Sequence, residues 1–129
     1  MRLSEKRIRA HLCAEIGDIR VFSEIDSTNA EARRLSLSGI SHEVLLVAEQ
    51  QSAGRGRLGR SFYSPNGMGI YMTYLWQPHE AAGDVVSVTT AAAVSVCRAL
   101  TSMPLLDRMP FPSNGSTIFI SQIKRCAGS

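Results

Sequence analysis

The chain has few cysteines and no long apolar run, and each shortage excludes a class of protein. Its 129 residues include only Cys13, Cys97 and Cys126. Three widely spaced cysteines argue against a disulfide framework or a zinc ribbon. No apolar segment approaches the roughly 20 residues that span a bilayer, and residues 1–6 lack the apolar core of a secretory signal. We therefore expect a cytoplasmic location and no membrane partner.

Clustered metal-binding or nucleophilic side chains are also lacking. His11, His42 and His79 are scattered, and none has a cysteine or carboxylate at the spacing of metal ligands. No Ser/His/Asp or Cys/His arrangement for nucleophilic catalysis can be identified. We therefore assign no metal site.

The net charge of +3 is small and unevenly distributed. Residues 1–103 carry 11 basic and 10 acidic side chains, and residues 104–129 contribute the remaining +2. A near-neutral body with one local arginine cluster differs from the basic groove that follows a nucleic-acid backbone. No nucleic-acid partner is expected.

The apolar pattern predicts one domain of mixed helices and strands. Helices are predicted from Ser4 to Leu12, after Asp26–Asn29 and from Asp84 to Leu100, and strands over Ile19–Ile25, Val44–Ala48 and Gly69–Trp76. Thr28 and Glu31 have the spacing of a capping box. The strand from Val44 is apolar throughout, as expected when both faces are buried, and the last helix is also predicted to be buried.

A loop rich in arginine and glycine follows the second strand. Residues 54–60, Gly-Arg-Gly-Arg-Leu-Gly-Arg, contain three glycines and three arginines. Glycine lets the backbone approach a ligand closely, and guanidinium groups fit carboxylate and phosphate oxygens. The loop therefore indicates a site for anionic chemistry.

Other interpretations of these segments remain open. Gly54-x-Gly56-x-x-Gly59 matches a dinucleotide-binding fingerprint, but that fingerprint opens a helix, and residues 60–65 do not start one. A solvated basic loop without function is another possibility. Asp26–Asn29 could be only a helix cap.

Taken together, these segments resemble the catalytic domain of biotin protein ligases. The resemblance extends from about Ile19 to Leu100 and consists of motifs and elements in a fixed order. These are a strand, Asp-Ser-Thr-Asn, a helix, a second strand, Ala-Glu-Gln-Gln-x-Ala-Gly-Arg-Gly-Arg-x-Gly-Arg, Ser-Pro-x-Gly and a third strand. The resemblance implies an α+β fold with a mixed, mostly antiparallel sheet and flanking helices, related to class II aminoacyl-tRNA synthetases. It implies formation of biotinyl-5′-AMP from biotin and ATP, then transfer of biotin to a lysine of the biotin carboxyl carrier protein of acetyl-CoA carboxylase. Mg²⁺ would accompany ATP without an assigned protein ligand.

The resemblance also assigns roles to individual residues. By the resemblance, the residues at the positions where the family contacts biotin and the adenylate are Ser27, Thr28, Asn29, Gln51, Arg55, Gly56 and Arg57. Arg55, Arg57 and Arg60 are the expected catalytic cations, because biotin carboxylate and ATP phosphates repel each other unless fixed positive charge surrounds them.

The final residues depart from the family. After the long helix the family carries Lys-Trp-Pro/Val-Asn-Asp and Lys-x-x-Gly-Ile, and neither motif is present. A typical family segment reads Lys-Trp-Val-Asn-Asp-Ile-Tyr-Leu-Thr-Asp-Lys-Lys-Val-Cys-Gly-Ile. Codons can be chosen for this segment that, when they are read one base later, encode the residues found at 114–129. We therefore expect residues 1–103 to be the N-terminal part of the catalytic domain and residues 104–129 an out-of-frame tail, with the frameshift between about Leu100 and Ser113. An incomplete, poorly folded and inactive chain is expected.

Three rival functions are considered. A lipoate or octanoyl transferase shares the fold, but the arginine-glycine loop after Asp-Ser-Thr-Asn favours biotin. A non-catalytic module could use the loop to bind a small ligand or nucleic acid. A non-functional pseudogene product is the third, and it is compatible with a truncated biotin ligase.

Overall fold

The computed structural model describes residues 2–76 and 85–102, which belong to two compact units. In order, the first unit contains α1 (Glu5–Arg9), β1 (Asp18–Phe22), α2 (Thr28–Leu37), β2 (Val44–Ala48), a short 3-10 turn (Arg57–Gly59) and β3 (Tyr71–Leu75). The second contains α3 (Val85–Thr101). No helix within these described ranges is long and apolar enough to cross a membrane.

The three strands form one mixed sheet with β2 in the centre. β1 runs parallel to β2, with Ile19 opposite Leu45, and β3 runs antiparallel to β2, with Thr73 opposite Leu46. A parallel pair needs a crossover, which α2 supplies between β1 and β2. The predicted α+β class, a mixed sheet with flanking helices, is confirmed.

The central strand is buried along its whole length, as its apolar sequence predicts. All five residues of β2 are buried. One face packs with α2 and β3 in a cluster consisting of Ala32, Leu35, Val44, Leu46 and Leu75. The other face, Leu45 and Val47, packs with Ile19 and receives Ile8 of α1. Because β2 contributes to both clusters, it holds the two layers together.

The first helix begins where predicted and ends earlier. Ser4 is its N-cap and accepts a hydrogen bond from the Arg7 amide. The helix ends at Arg9 rather than Leu12. None of its residues is buried, so little packing stabilises further turns.

The second helix is capped by a different residue from the one the capping-box pattern predicts. Ser27, not Thr28, is the N-cap, and its side chain accepts from the Ala30 amide. Thr28 is the first helical residue, and its hydroxyl bonds elsewhere. Glu31 pairs with Arg34 instead of returning to the cap. The helix stops as predicted, with Gly39 at a φ of +84°, a conformation that glycine adopts without strain.

The third helix, Val85–Thr101, begins and ends one residue after its predicted bounds of Asp84 and Leu100, and its described side chains are less buried than predicted. Val88, Ala92, Val96 and Leu100 are half-buried on one side, with the i, i+4 spacing of an apolar stripe. No α3 residue whose side chain is described is buried. The periodicity therefore identified the correct face, while burial needs a packing partner that a helix alone cannot provide.

Candidate functional site

Residues 26–29 and 50–53, two loops identified in the sequence, lie side by side at one edge of the sheet. Beyond the end of β1, Ile25 forms a parallel bridge with Gln51, beyond the end of β2. The Ser52 amide donates to the Ile25 carbonyl at 2.9 Å, and the Ala53 amide donates to the Asp26 carbonyl at 2.8 Å. Carboxyl ends of parallel strands are where α/β sheets commonly bind ligands. The pairing of β1 with β2 thus brings residues 26–29 against residues 50–53.

Gln51 joins these loops through its side chain. Its Oε1 accepts a 2.8 Å hydrogen bond from the Thr28 main-chain amide and a 3.1 Å bond from the Thr28 hydroxyl. The Thr28 amide is one of the first N–H groups of α2, which have no partner inside the helix. The Gln51 oxygen supplies that partner, so this side chain also caps the helix.

Two further hydroxyl groups extend this contact. Thr73 Oγ1 donates to Thr28 Oγ1 at 3.0 Å, and Gln51 Nε2 donates to Ser64 Oγ at 3.2 Å. Ser64 in turn donates to the Phe62 carbonyl at 3.2 Å. Ser64, Thr28 and Thr73 are 2%, 4% and 8% exposed. Buried polar groups are costly without partners, and here each has one.

Gly54 is required by close packing beneath the arginine-glycine loop. Its carbonyl accepts from the Phe62 amide at 2.7 Å. A Cβ at this position would lie 2.5 Å from the Phe62 carbonyl oxygen and 2.5 Å from Ser64 Oγ. Only glycine fits this approach of two backbone segments.

The loop itself is a tight hairpin turn. Arg55 bridges Ser61, and the Gly56 amide donates to the Arg60 carbonyl at 2.7 Å. At the tip, Leu58 has a φ of +58° and is 94% exposed. A leucine in the left-handed region is strained, and such residues cluster at ligand-binding loops.

Two of the three predicted arginine side chains, Arg55 and Arg60, are described by the structure. Arg55 and Arg60 are exposed, and Gly56 is half-buried. The side chain of Arg57 lies outside the described structure. In the described part of the loop, neither Arg55 nor Arg60 has a carboxylate partner. Their charge is therefore free to meet an anion.

An open cavity of about 470 Å³ lies beside the joined loops. Its walls are residues 50–54 and 61–65, including Gln51, Gly54 and Ser64. This volume is within the usual range of small-molecule sites. Apolar walls (Phe62, Tyr63) and amide or hydroxyl groups (Gln51, Ser64) line the same space, which suits a ligand with an apolar body and a polar head.

An ion-pair cluster fixes the loop between β1 and α2. Arg34 reaches both Asp26 oxygens, at 2.9 and 2.8 Å, and also Glu31 at 2.6 Å. The hydrogen bond from Arg34 is the main cause that lowers the pKa of Asp26 to about 2. The Asp26 carboxylate is consequently a permanent charge that orients the start of α2.

The other predicted contacts are placed as follows. Ser27 is buried and its hydroxyl is engaged in the helix cap, while Asn29 is half-buried on the first turn of α2. Sequence reasoning did not single out Ser64 or Thr73. For Thr73 a signal existed, because strand alternation places it on the same buried face as Tyr71 and Leu75. No such periodicity marks Ser64.

A metal site is not formed by this part of the chain. Within residues 2–76 and 85–102, no three His, Cys, Asp or Glu side chains are grouped to hold an ion.

Comparison with known proteins agrees with this arrangement. The family model for the biotin/lipoate A/B protein ligase family matches residues 21–121. The bifunctional ligase/repressor BirA of Bacillus spizizenii is 34% identical over 101 residues, which cover 77% of this chain and 31% of the relative. The chain thus spans about a third of the length of that relative.

Solved structures show the same likeness. Biotin protein ligase from Aquifex aeolicus, in complex with biotin and ATP, has a TM-score of 0.53 and 34% identity over 65% of this chain and 34% of that one. Biotin protein ligase from Leishmania major, in complex with biotinyl-5-AMP, has a TM-score of 0.53 and 30% identity over 64% of this chain and 33% of that one. With the family model matched over most of its length, the chain belongs to the biotin/lipoate A/B protein ligase family.

Proposed function

We propose that this chain carries the biotin and adenylate site of a biotin protein ligase. The reaction is ATP-dependent formation of biotinyl-5′-AMP, followed by transfer of biotin to a lysine of a carrier protein, the biotin carboxyl carrier protein of acetyl-CoA carboxylase. The observation that carries this proposal is the cavity beside the Gln51–Thr28 contact, whose lining includes Gly54, the first residue of the arginine-glycine loop, and Ser61, which follows the loop.

The chemistry of the cavity suits biotin. Biotin combines a polar ureido group with an apolar ring and chain. Gln51 and Ser64 offer amide and hydroxyl groups, and Phe62 offers an apolar surface, along the same wall. Polar groups placed beside an apolar surface give a ligand orientation and specificity. We propose Ser27, Thr28, Asn29, Gln51 and Gly56 as ligand-contacting residues.

The cationic loop suits the chemical step. In that step the biotin carboxylate oxygen attacks the α-phosphorus, a phosphorus–oxygen bond breaks, and pyrophosphate leaves. Negative charge increases at the phosphorus oxygens in the transition state, where fixed cations stabilise it most. Arg55 and Arg60 are exposed and unpaired on the described loop. We propose these two, with Arg57, as the catalytic cations.

A lipoate or octanoyl transferase is the second candidate, since its family is shared. The solved structures similar to this chain hold biotin, ATP or biotinyl-5-AMP, which favours biotin. A cytoplasmic location remains part of the proposal.

We also propose that residues 104–129 are read out of frame, so that the chain lacks the family segment after the long helix and does not complete catalysis. This rests on the base-for-base relation between residues 114–129 and a family segment that supplies a lysine. These residues lie outside the described structure. Reading the gene tests it, because the other frame must encode a ligase-like continuation, and a gene without one refutes the idea.

The function is tested by calorimetry with the purified chain. We expect binding of biotin and tighter binding of biotinyl-5′-AMP. Arg55→Gln and Arg60→Gln should each weaken adenylate binding by about tenfold or more, the usual worth of a charge-assisted hydrogen bond. Arg33→Gln, an exposed arginine of α2, is the matched control.

Each alternative has its own outcome in that experiment. Preference for lipoyl-5′-AMP over biotinyl-5′-AMP would favour the second candidate. A folded chain that binds neither adenylate would contradict the proposed biotin and adenylate site. Biotin-dependent exchange of pyrophosphate into ATP would contradict the proposed loss of catalysis.

A further inference from the structure

The buried hydroxyl of Thr73 has no role in the function proposed above. Thr73 is 8% exposed on β3, on the face that also carries Tyr71 and Leu75. Valine has nearly the same shape and is favoured in strands. Packing alone therefore does not explain a hydroxyl here, and its hydrogen bond to Thr28 does.

The direction of that hydrogen bond follows from the other groups. The Thr28 main-chain N–H can only donate, so the Gln51 atom 2.8 Å away must be the oxygen Oε1. The same oxygen can only accept, so the single hydroxyl proton of Thr28 points to it across 3.1 Å. Thr28 Oγ1 then has to accept from Thr73, 3.0 Å away.

The opposite side of the amide follows the same logic. With Oε1 fixed toward Thr28, Nε2 of Gln51 faces Ser64 Oγ at 3.2 Å. Ser64 Oγ accepts that hydrogen bond, and its own hydroxyl donates a hydrogen bond to the Phe62 carbonyl. One directed chain therefore runs from Thr73 through Thr28 and Gln51 to Ser64. Such chains polarise each member and strengthen one another.

We propose that Thr73 is a positioning residue for biotin. Thr73 does not line the cavity and therefore acts through Thr28. Its hydrogen bond orients the Thr28 hydroxyl, and the Thr28 hydroxyl in turn orients the Gln51 amide. This inference rests on the proposed function, because Gln51 and Thr28 are proposed ligand contacts there.

The test compares three variants of the full chain. Thr73→Val removes the hydroxyl and keeps the shape. Thr73→Ser keeps the hydroxyl and loses a methyl group. Leu75→Val lies on the same strand and face, is 7% exposed, and removes apolar contact without touching the hydrogen-bond chain. Biotin affinity is measured by calorimetry, and urea unfolding shows that each variant is folded.

The expected result separates positioning from packing. Thr73→Val should bind biotin about tenfold more weakly, the effect of losing one buried hydrogen bond, and Thr73→Ser should bind within about twofold of the unsubstituted chain. Leu75→Val should unfold at lower urea with unchanged affinity. Unchanged biotin affinity in folded Thr73→Val overturns the proposal, and so does an equal loss in Leu75→Val.

A second measurement needs no ligand. In ¹H–¹⁵N spectra of the free chain, Thr73→Val should shift the Gln51 side-chain amide pair and the Thr28 amide, and Thr73→Ser should restore them. Signals that do not move in Thr73→Val overturn the positioning role. If the unsubstituted chain does not bind biotin while these signals shift as expected, the proposed function fails and the fixing of Gln51 by Thr73 stands.

Discussion

The main-chain amide of Thr28 donates a 2.8 Å hydrogen bond to Oε1 of Gln51, 23 residues further along the chain. This bond joins the first turn of a helix to the loop that follows the central strand. It satisfies a helix N–H that would otherwise lack a partner. The same side chain lines the cavity. One amide group therefore both stabilises the start of α2 and faces the cavity.

Replacement of Gln51 by methionine, which has a similar length, should destabilise the fold. The buried Thr28 amide and hydroxyl would both lose their acceptor, and an unsatisfied buried polar group costs about 1–3 kcal/mol. Urea unfolding monitored by circular dichroism measures the change. Gln50→Met, on the same cavity wall, should change stability much less. An equal effect of the two substitutions would mean that the hydrogen bonds to Thr28 add no net stability.

Gly54→Ala should be destabilising although alanine is only one methyl group larger. The new Cβ would lie 2.5 Å from the Phe62 carbonyl oxygen, a backbone atom that cannot move independently. Overpacking of this kind costs about 1–3 kcal/mol, and we expect biotin affinity to fall as the cavity wall shifts. Gly56→Ala is the comparison, since its Cβ would be 3.4 Å from the nearest atom. Thermal unfolding in which Gly54→Ala matches the unsubstituted chain would contradict the crowding.

The Asp26–Arg34 pair should support stability only above acid pH. The pKa of Asp26 is lowered from 3.8 to about 2, chiefly by its hydrogen bond from Arg34. A lowered pKa in the folded state stabilises the fold above the unfolded value, and this contribution is lost as the pH falls from about 4 to 2. Carbon-detected NMR titration of Asp26 measures the value directly.

Arg34→Met should raise that pKa toward its ordinary value and flatten the pH dependence of stability in the same window. Arg33→Gln removes a neighbouring exposed charge without a contact to Asp26 and should leave the titration nearly unchanged. If both variants shift the titration equally, general charge rather than the specific pair sets the pKa.

The phenol of Tyr74 should ionise at a higher pH than an ordinary tyrosine. Burial, and then a hydrogen bond with Glu43, raise its pKa from 10.0 to about 12. Its stabilising contribution is therefore complete below pH 10 and is lost as the pH rises toward 12. Ultraviolet titration of phenolate absorbance measures this. Glu43→Gln should lower the value, and Glu24→Gln, an exposed glutamate, should not. A Tyr74 that ionises near pH 10 in the folded chain would contradict the burial.

Sequence patterns predicted most of the fold because its strands are marked by local chemistry. Val44–Ala48 was predicted residue for residue, since a run of five apolar residues has to be buried on both faces. The cap of α2 was predicted wrongly at Thr28. Two hydroxyl residues stand next to each other there, and only the distant Gln51 decides which one caps the helix. The burial of α3 was also predicted wrongly for the side chains that the structure describes, because periodicity indicates which face is apolar but not what packs against it.

The candidate site was predictable in part. Thr28 and Gln51 were both singled out, although their contact required knowledge that β1 and β2 pair in parallel. Ser64 was missed because a lone serine before proline reads as turn chemistry. Its role depends on the close approach of Gly54, which no local pattern encodes.

The parallel pairing of β1 and β2 has a practical consequence. Both site loops leave the strands at one edge, whereas the connection that contains Gly39, Ser41 and His42 enters β2 at the other edge, with these residues exposed. A peptide tag or a fluorescent label inserted there would add length without altering the register of Ile25 with Gln51. That connection is thus a suitable place for a label that reports ligand binding from a position away from the site loops.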